Sequence, residues 1–469
     1  NLVLANNIYL YSKKKNIFTN FRFSYLIFYY VVFLLDCIIF NFLILNKSGI
    51  NAFYIYLFLK LIFLVISFEK FNFKPRLYIQ KEYLLILTLF FLISLLPLSD
   101  ADSINVHLNF PLAFFHNHEN LLNLSKYAEL SLFQNSEIIL FNSVLLKSEN
   151  IGSLLNYSSL LVFIFLEFSK PKNKGNFLVF VLSIPLILFL LNTQKLQVFF
   201  GILYLVIFIY FYENKSFFKK KIELAVIAFV FIFYLSGKIS YILLAGPLFI
   251  YMLYRVKNPY FIIYFILPSI LILFPLYLNK FFFYGNPLAP LFSNYFSSSE
   301  ELLNLNKIIN LQGWKNSGFN IVELISFIIP TSISKISSSA GFGLIYLLFK
   351  DKFQNLKSFH FVSFSGIFLI YAFGQIAPRF YLESLLLLFF FTNFKINKYT
   401  KYILNTQILI VGIISSAFLI YSIYLIGDKD EYYSKFSNSF HEAEKIKELK
   451  IKENILYLDE GRDSIFFSK

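Results

Sequence analysis

Cysteine is almost absent from this chain: Cys37 is the only one among 469 residues. It lies in an apolar run, so no intrachain disulfide can form. Charge is nearly as scarce. Charged residues make up 15% of the chain, against about 25% in an ordinary soluble domain. No glycine-rich phosphate-binding loop is present, which argues against nucleotide-driven chemistry. No internal repeat is visible, which weakens a transporter built from inverted halves. No small-residue cleavage site follows the first long apolar run, so no cleavable signal peptide is expected. Histidine is limited to 5 residues. His107, His116 and His118 have no spacing that dictates a metal site, and His116 and His118 read as surface residues.

Apolar residues fill the space that charge leaves, at 58% of the chain. They fall into runs of nearly membrane-spanning length. One such run could be a buried core helix, but a water-soluble core has no room for more than ten helices that are apolar all round. The expected class is therefore an all-α polytopic membrane protein with about thirteen transmembrane helices. The runs lie near 25–45, 53–68, 83–98, 152–169, 177–193, 196–212, 223–237, 239–254, 260–280, 320–349, 359–374, 380–394 and 403–426. The run near 320–349 contains Pro330 and a polar stretch from Thr331 to Ser339, so a broken or re-entrant segment is expected there.

The formal charge of +15 would point to nucleic acid in a soluble protein. Here it fits lysine- and arginine-rich cytoplasmic loops, and no nucleic-acid partner is expected. Successive loops of such a bundle fall on alternate sides of the membrane. The side holding Lys13 to Lys15, Lys70 to Lys81, Lys170 to Lys174, Lys215 to Lys221, Arg255 with Lys257, Lys350 to Lys357 and Lys395 to Lys401 is far richer in Lys and Arg. That asymmetry predicts a cytoplasmic N-terminus and an extracytoplasmic C-terminus. Residues 1–427 would then form the membrane domain, with outer loops at about 99–151 and 281–319, and 428–469 a small outer tail. The first loop reads as short juxtamembrane amphipathic helices. Asp36 and Lys60, inside early spans, can be functional or can pair with each other. Trp314 reads as an interface anchor.

The most informative stretch is Asp100-Ala101-Asp102-Ser103, followed by His107, where a span emerges on the outer side. Two carboxylates at this spacing can bind a divalent cation, or one can act as general base on an acceptor hydroxyl. The same pair can also be an Asp-rich turn closing a helix. Lys195, Lys238 and Arg379 sit at outer ends of spans, against the charge bias. They suit an anionic ligand such as a lipid-linked phosphate, or simply snorkel. Pro378 opens a helix whose dipole disfavours the cation Arg379 in its first turn, which favours a functional reading there. Tyr284-Gly285-Asn286-Pro287 reads locally as a turn.

With these residues the chain resembles the GT-C class of membrane glycosyltransferases. The resemblance rests on Asp100-Ala101-Asp102-Ser103 with His107, on Gly285-Asn286-Pro287-Leu288-Ala289-Pro290, and on Pro378-Arg379-Phe380 opening a late span. It extends from about residue 80 to 426 as an architecture and looks most like bacterial members encoded near surface-polysaccharide loci. It implies a multi-pass protein of the bacterial plasma membrane that moves a hexose or pentose, with inversion, from a polyprenyl-phosphate donor to a cell-envelope glycan or glycolipid at the outer leaflet. Asp100 and Asp102 would be catalytic and could hold Mg or Mn. His107, Lys195, Lys238, Asn286 and Arg379 would bind substrate. Two spans precede the one leading into Asp100, where many members have one. The short tail argues against the large machines that glycosylate protein sequons. The rival readings are a flippase or transporter for lipid-linked oligosaccharides, a polysaccharide polymerase or ligase, and a membrane scaffold.

Overall fold

The computed structural model describes residues 2–14, 21, 23–68, 81–98, 100, 103–116, 128–168, 176–214, 221–296, 302–305, 325–326, 328–330, 335, 339–343, 357–373, 378–391 and 398–425. All the regular structure among them is helical. In chain order the elements begin with α1 (Leu2–Lys14), α2 (Ser24–Leu45), α3 (Ile50–Phe68), α4 (Lys81–Ile93), a π-helical turn (Ser103–Leu108), α5 (Asn109–His116), a 3-10 turn (Ala128–Leu132), α6 (Asn135–Ile139), α7 (Phe141–Leu145) and α8 (Ile151–Glu167). There follow α9 (Asn176–Ser183), α10 (Pro185–Leu190), α11 (Gln197–Glu213), α12 (Lys221–Gly237), α13 (Tyr241–Val256), a 3-10 turn (Pro259–Phe265), α14 (Ile266–Pro268), a π-helical turn (Ser269–Leu273), α15 (Phe274–Tyr284) and α16 (Ser293–Phe296). The last elements are α17 (Ser358–Phe373), a 3-10 turn (Pro378–Tyr381), α18 (Leu382–Phe391) and α19 (Lys398–Leu425).

Apart from 320–349, which lies mostly outside the described residues, each apolar run predicted from the sequence coincides with a helix or a helical series. Among the described residues, three stretches are long and apolar enough to cross a membrane: Ser24–Leu45, Pro259–Tyr284 and Tyr399–Leu425. The helix α11 is apolar on all sides, and Val198, Leu203, Ile207 and Phe211 are fully buried. A helix without a polar face belongs in the centre. It is ringed by α8, where the Phe199 amide donates to Asn156 Oδ1 at 3.0 Å, by α12 through Phe200 and Phe233, and by α2, whose Tyr30 hydroxyl donates to the Phe199 carbonyl at 2.8 Å. The outer helices turn large apolar side chains outward, among them Phe58, Phe63, Ile270, Phe368, Ile413 and Ile420. Contiguous apolar faces of this kind match hydrocarbon and are rare on monomers in water.

Two features position the site. The run near 177–193 is broken at Pro185, which has no amide hydrogen, and the chain repairs the break from elsewhere. The Leu186 amide donates to the Ser339 carbonyl at 3.2 Å, and the Gln407 side-chain amide donates to the Ser183 carbonyl. Ser339 and Ala340 are thereby buried deep in the bundle. The second feature corrects an expectation: the short helices of the 99–151 loop do not lie on a surface. Asn135, Ile138, Ile139 and Phe141 are buried, and Phe110 stacks on Phe133 with ring centroids 3.9 Å apart. Apolar side chains on more than one face drive these helices in among the ends of the spans.

Their polar groups are matched inside. The Asn279 amide donates to Asn41 Oδ1 at 3.2 Å, Asn41 Nδ2 to Asn135 Oδ1 at 2.8 Å, and Asn135 Nδ2 to Ser236 Oγ at 2.7 Å. This buried ladder ties α15, α2, α6 and α12 together. Asp36 and Lys60 pair at 2.6 Å, with the Tyr56 hydroxyl donating to the same carboxylate, so these two charges inside apolar helices serve each other. At the opposite end of the bundle, Arg255 donates to the carbonyls of Phe211 and Asn214.

Candidate functional site

The segments that carry the singled-out residues gather at one end of the bundle. The turn between α10 and α11 is fixed by α8. Asn156 Nδ2 donates to the Lys195 carbonyl at 2.8 Å, and the Gly152 amide donates to Gln194 Oε1 at 2.8 Å. A side chain at residue 152 would strike the Gln194 backbone, so only glycine permits this approach. The Gln194 amide in turn donates to Ser103 Oγ at 2.9 Å, bringing the π-helical turn Ser103–Leu108 to the same place.

Asp100 stands at this junction. Its carboxylate is 2.9 Å from Lys195 Nζ and accepts from both the amide (3.0 Å) and the hydroxyl (2.8 Å) of Ser103. Lys195 is only 4% exposed and Asp100 16%. The second carboxylate of the sequence motif, Asp102, lies outside the described residues, as do His118, Trp314 and the tail from 428. The divalent-metal expectation fares poorly on chemistry. The described carboxylate of the pair faces an ammonium group, which repels a cation from the same oxygens. Among the described residues, no group of three or more His, Cys, Asp or Glu side chains is placed to hold a metal. The described residues do not fit a divalent ion.

His107, four residues after Ser103 and so on the same face of the helical turn, points to a second carboxylate. Its Nδ1 lies 2.7 Å from Glu137 Oε1. Glu137 is held by the Gln134 amide at 2.6 Å and by Ser136 Oγ at 2.8 Å, in a capping box that opens α6. Ser136 Oγ also lies 2.6 Å from the Gly237 carbonyl, which sets Glu137 beside Lys238.

Lys238 occupies the turn between α12 and α13, with Nζ 4.3 Å from the centroid of the Phe380 ring. Arg379 stacks on the same ring at 5.2 Å. Burial, then the neighbouring charges of Arg379 and Lys195, push the Lys238 ammonium down to about 7, while Glu383 and Glu137 pull the other way. Lys238 is therefore close enough to Arg379 and to Lys195 to be repelled by each. Lys238 has no hydrogen bond or ion pair with any described residue. A cluster of like charges is costly unless an anion joins it.

Asn286 behaves differently from the other expected ligands. It is fully buried, and its side chain serves its own loop by accepting from the Leu288 amide at 2.9 Å and donating to the Leu291 carbonyl at 2.8 Å. Gly285, at φ +66, supplies the left-handed residue that ends α15 and starts this loop.

Three residues escaped the sequence reading. Glu137 was announced by the Gln134-x-x-Glu137 spacing of a capping box. Lys280, fully buried in α15, donates to the carbonyls of Ser131 (2.9 Å) and Ala289 (2.8 Å), clamping the segment before α6 to the one after α15. Glu383, four residues after Arg379, is fully buried beside Tyr204, Tyr234 and Tyr241. Both Lys280 and Glu383 are lone charges inside apolar runs, a signal of function or of a specific partner. No protein-family model, curated protein or solved structure matches the chain.

Proposed function

We propose that this chain is a polytopic membrane glycosyltransferase of GT-C type that takes a sugar from a polyprenyl-phosphate donor and passes it to a cell-envelope glycan or glycolipid at the outer leaflet. The observation that carries the reading is the convergence of Lys195, Lys238 and Arg379 at one end of an apolar helical bundle, with the Lys238 ammonium making no ion pair among the described residues. A phosphate on a lipid reaches such a site from within the membrane and needs no nucleotide loop.

The chemistry follows from charge. In an inverting transfer the acceptor oxygen forms a bond to the anomeric carbon as the bond to the phosphate oxygen breaks. The electron pair leaves with the lipid phosphate, whose negative charge grows in the transition state. Cations fixed in place beforehand stabilise that charge without reorganising. The acceptor hydroxyl must lose its proton to a base on the far side of the sugar. Asp100, with Lys195 and Ser103 on its oxygens, orients the Lys195 ammonium toward the phosphate. Lys238 and Arg379, both against Phe380, form the opposite wall. The charge asymmetry of the loops supports an extracytoplasmic site.

The test is turnover. The full chain in proteoliposomes is offered a panel of synthetic polyprenyl-phosphate hexoses and pentoses, with envelope extract of the source cell as acceptor. Chain-dependent release of polyprenyl phosphate is the expected result. If no donor is consumed while a labelled lipid-linked oligosaccharide crosses the bilayer, the flippase reading replaces this one.

A further inference from the structure

The proposed transfer needs a proton acceptor, and the described carboxylate of the acidic motif is badly placed to be one. Asp100 meets the Lys195 ammonium at both oxygens, and Oδ2 also takes two bonds from Ser103. A hydroxyl approaching it would have to displace one of these donors. One helical turn further on, the geometry is that of a working base.

Resting on the glycosyl-transfer reading above, we infer that His107 Nε2 is the general base of the reaction, with Glu137 as the residue that orients it. The Glu137 carboxylate can only accept, so the 2.7 Å contact fixes the imidazole proton on Nδ1 and leaves the lone pair on Nε2. No described residue bonds to Nε2. The imidazole side chain retains 13% exposure, whereas Glu137 retains 4%. The imidazole is thus somewhat more open than the carboxylate that supports it. Glu137 is tethered by the Gln134 amide on Oε2, while its Oε1 lies between His107 and Ser136, whose single hydroxyl proton it shares with the Gly237 carbonyl. This is the arrangement of a base oriented by a third group, which recurs wherever a hydroxyl has to be activated.

Position supports the assignment as strongly as orientation does. The turn Ser103–Leu108 places Ser103 against the Gln194–Lys195 segment and His107 against α6. Through Ser136 and Gly237 the base is attached to the backbone next to Lys238. The imidazole therefore borders the cationic cluster without belonging to it. In the reaction, Nε2 takes the proton of the acceptor hydroxyl as the new bond to the anomeric carbon forms. The phosphate leaves with the electrons of the old bond. The imidazolium, stabilised by Glu137, then gives its proton to water.

The charged groups around the dyad are Glu137 itself and, beyond it, Lys238 and Lys280.

The experiment uses the same proteoliposomes and donor panel. His107→Gln should bind donor within about threefold of the wild type and lose roughly 10²- to 10⁴-fold in turnover, the usual worth of a positioned base. His107→Ala should regain activity with added imidazole, which a merely structural residue would not do. Glu137→Gln should keep donor binding within about threefold of the wild type and lose turnover, a split between KM and kcat that a merely structural residue would not give. Turnover of His107→Gln within about threefold of the wild type, with an unchanged pH profile, overturns the inference and leaves the glycosyl-transfer reading standing. A wild-type chain that consumes no donor of the panel removes both.

Discussion

Lys195 and Asp100, 95 residues apart, meet at 2.9 Å with the lysine almost wholly out of water. Breaking a pair of this kind from one side leaves an uncompensated charge and costs about 3–5 kcal/mol, whereas replacing both partners by apolar groups can be neutral. Asp100→Asn and Lys195→Met should each lower the Tm of the detergent-solubilised protein. The double variant should recover much of the loss in Tm but none of the activity. Additive losses in Tm would mean that the two charges do not depend on each other.

Lys238 should make donor binding depend on pH. Its ammonium is held down to about 7 by burial and by Arg379 and Lys195. Below that pH the group is charged and ready for phosphate; above it, binding must first take up a proton. Affinity should therefore fall as pH rises through about 7 and 8. Binding enthalpy in this range should vary with the ionisation heat of the buffer. Lys238→Met should bind more weakly and lose the pH dependence. Calorimetry in two buffers checks both outcomes.

Much of this was legible in the sequence because lipid leaves few alternatives: the apolar runs coincide with helices, and the loop charges predict which ends belong together. The three cations stood out because they contradict the loop bias. Glu137 was hidden because a capping-box glutamate looks local, and nothing in the chain order says that His107 will fold back onto it. Lys280 sits in a run that hydropathy reads as uniformly apolar, and its partners lie in two different loops. Asn286 looked like a ligand because it sits in a motif-like turn, yet its amide closes that turn. The juxtamembrane helices were legible as helices. Their insertion was not, because one-dimensional periodicity does not show which faces find partners.

Sidedness is open to direct labelling. Cys37 is buried, so the native background should be low. Lys147 and Glu213 are exposed at opposite ends of the bundle. A membrane-impermeant maleimide added to intact cells should label Lys147→Cys and spare Glu213→Cys until the cells are opened. The reverse pattern would put the cationic cluster on the cytoplasmic face.

The central claim is that Lys195, Lys238 and Arg379 together hold the phosphate of a lipid donor. The most direct measurement is the affinity of the full chain for a synthetic polyprenyl-phosphate sugar and for the uncharged polyprenol, in the wild type and in Lys195→Met, Lys238→Met and Arg379→Ala. A hydrogen bond to a charged group contributes about 1.5–3 kcal/mol, roughly 10- to 150-fold in affinity. The account predicts clear preference for the phosphate in the wild type and a loss of that order in each variant, with polyprenol binding unaffected. Equal affinity for the phosphate donor in the wild type and all three variants would contradict it.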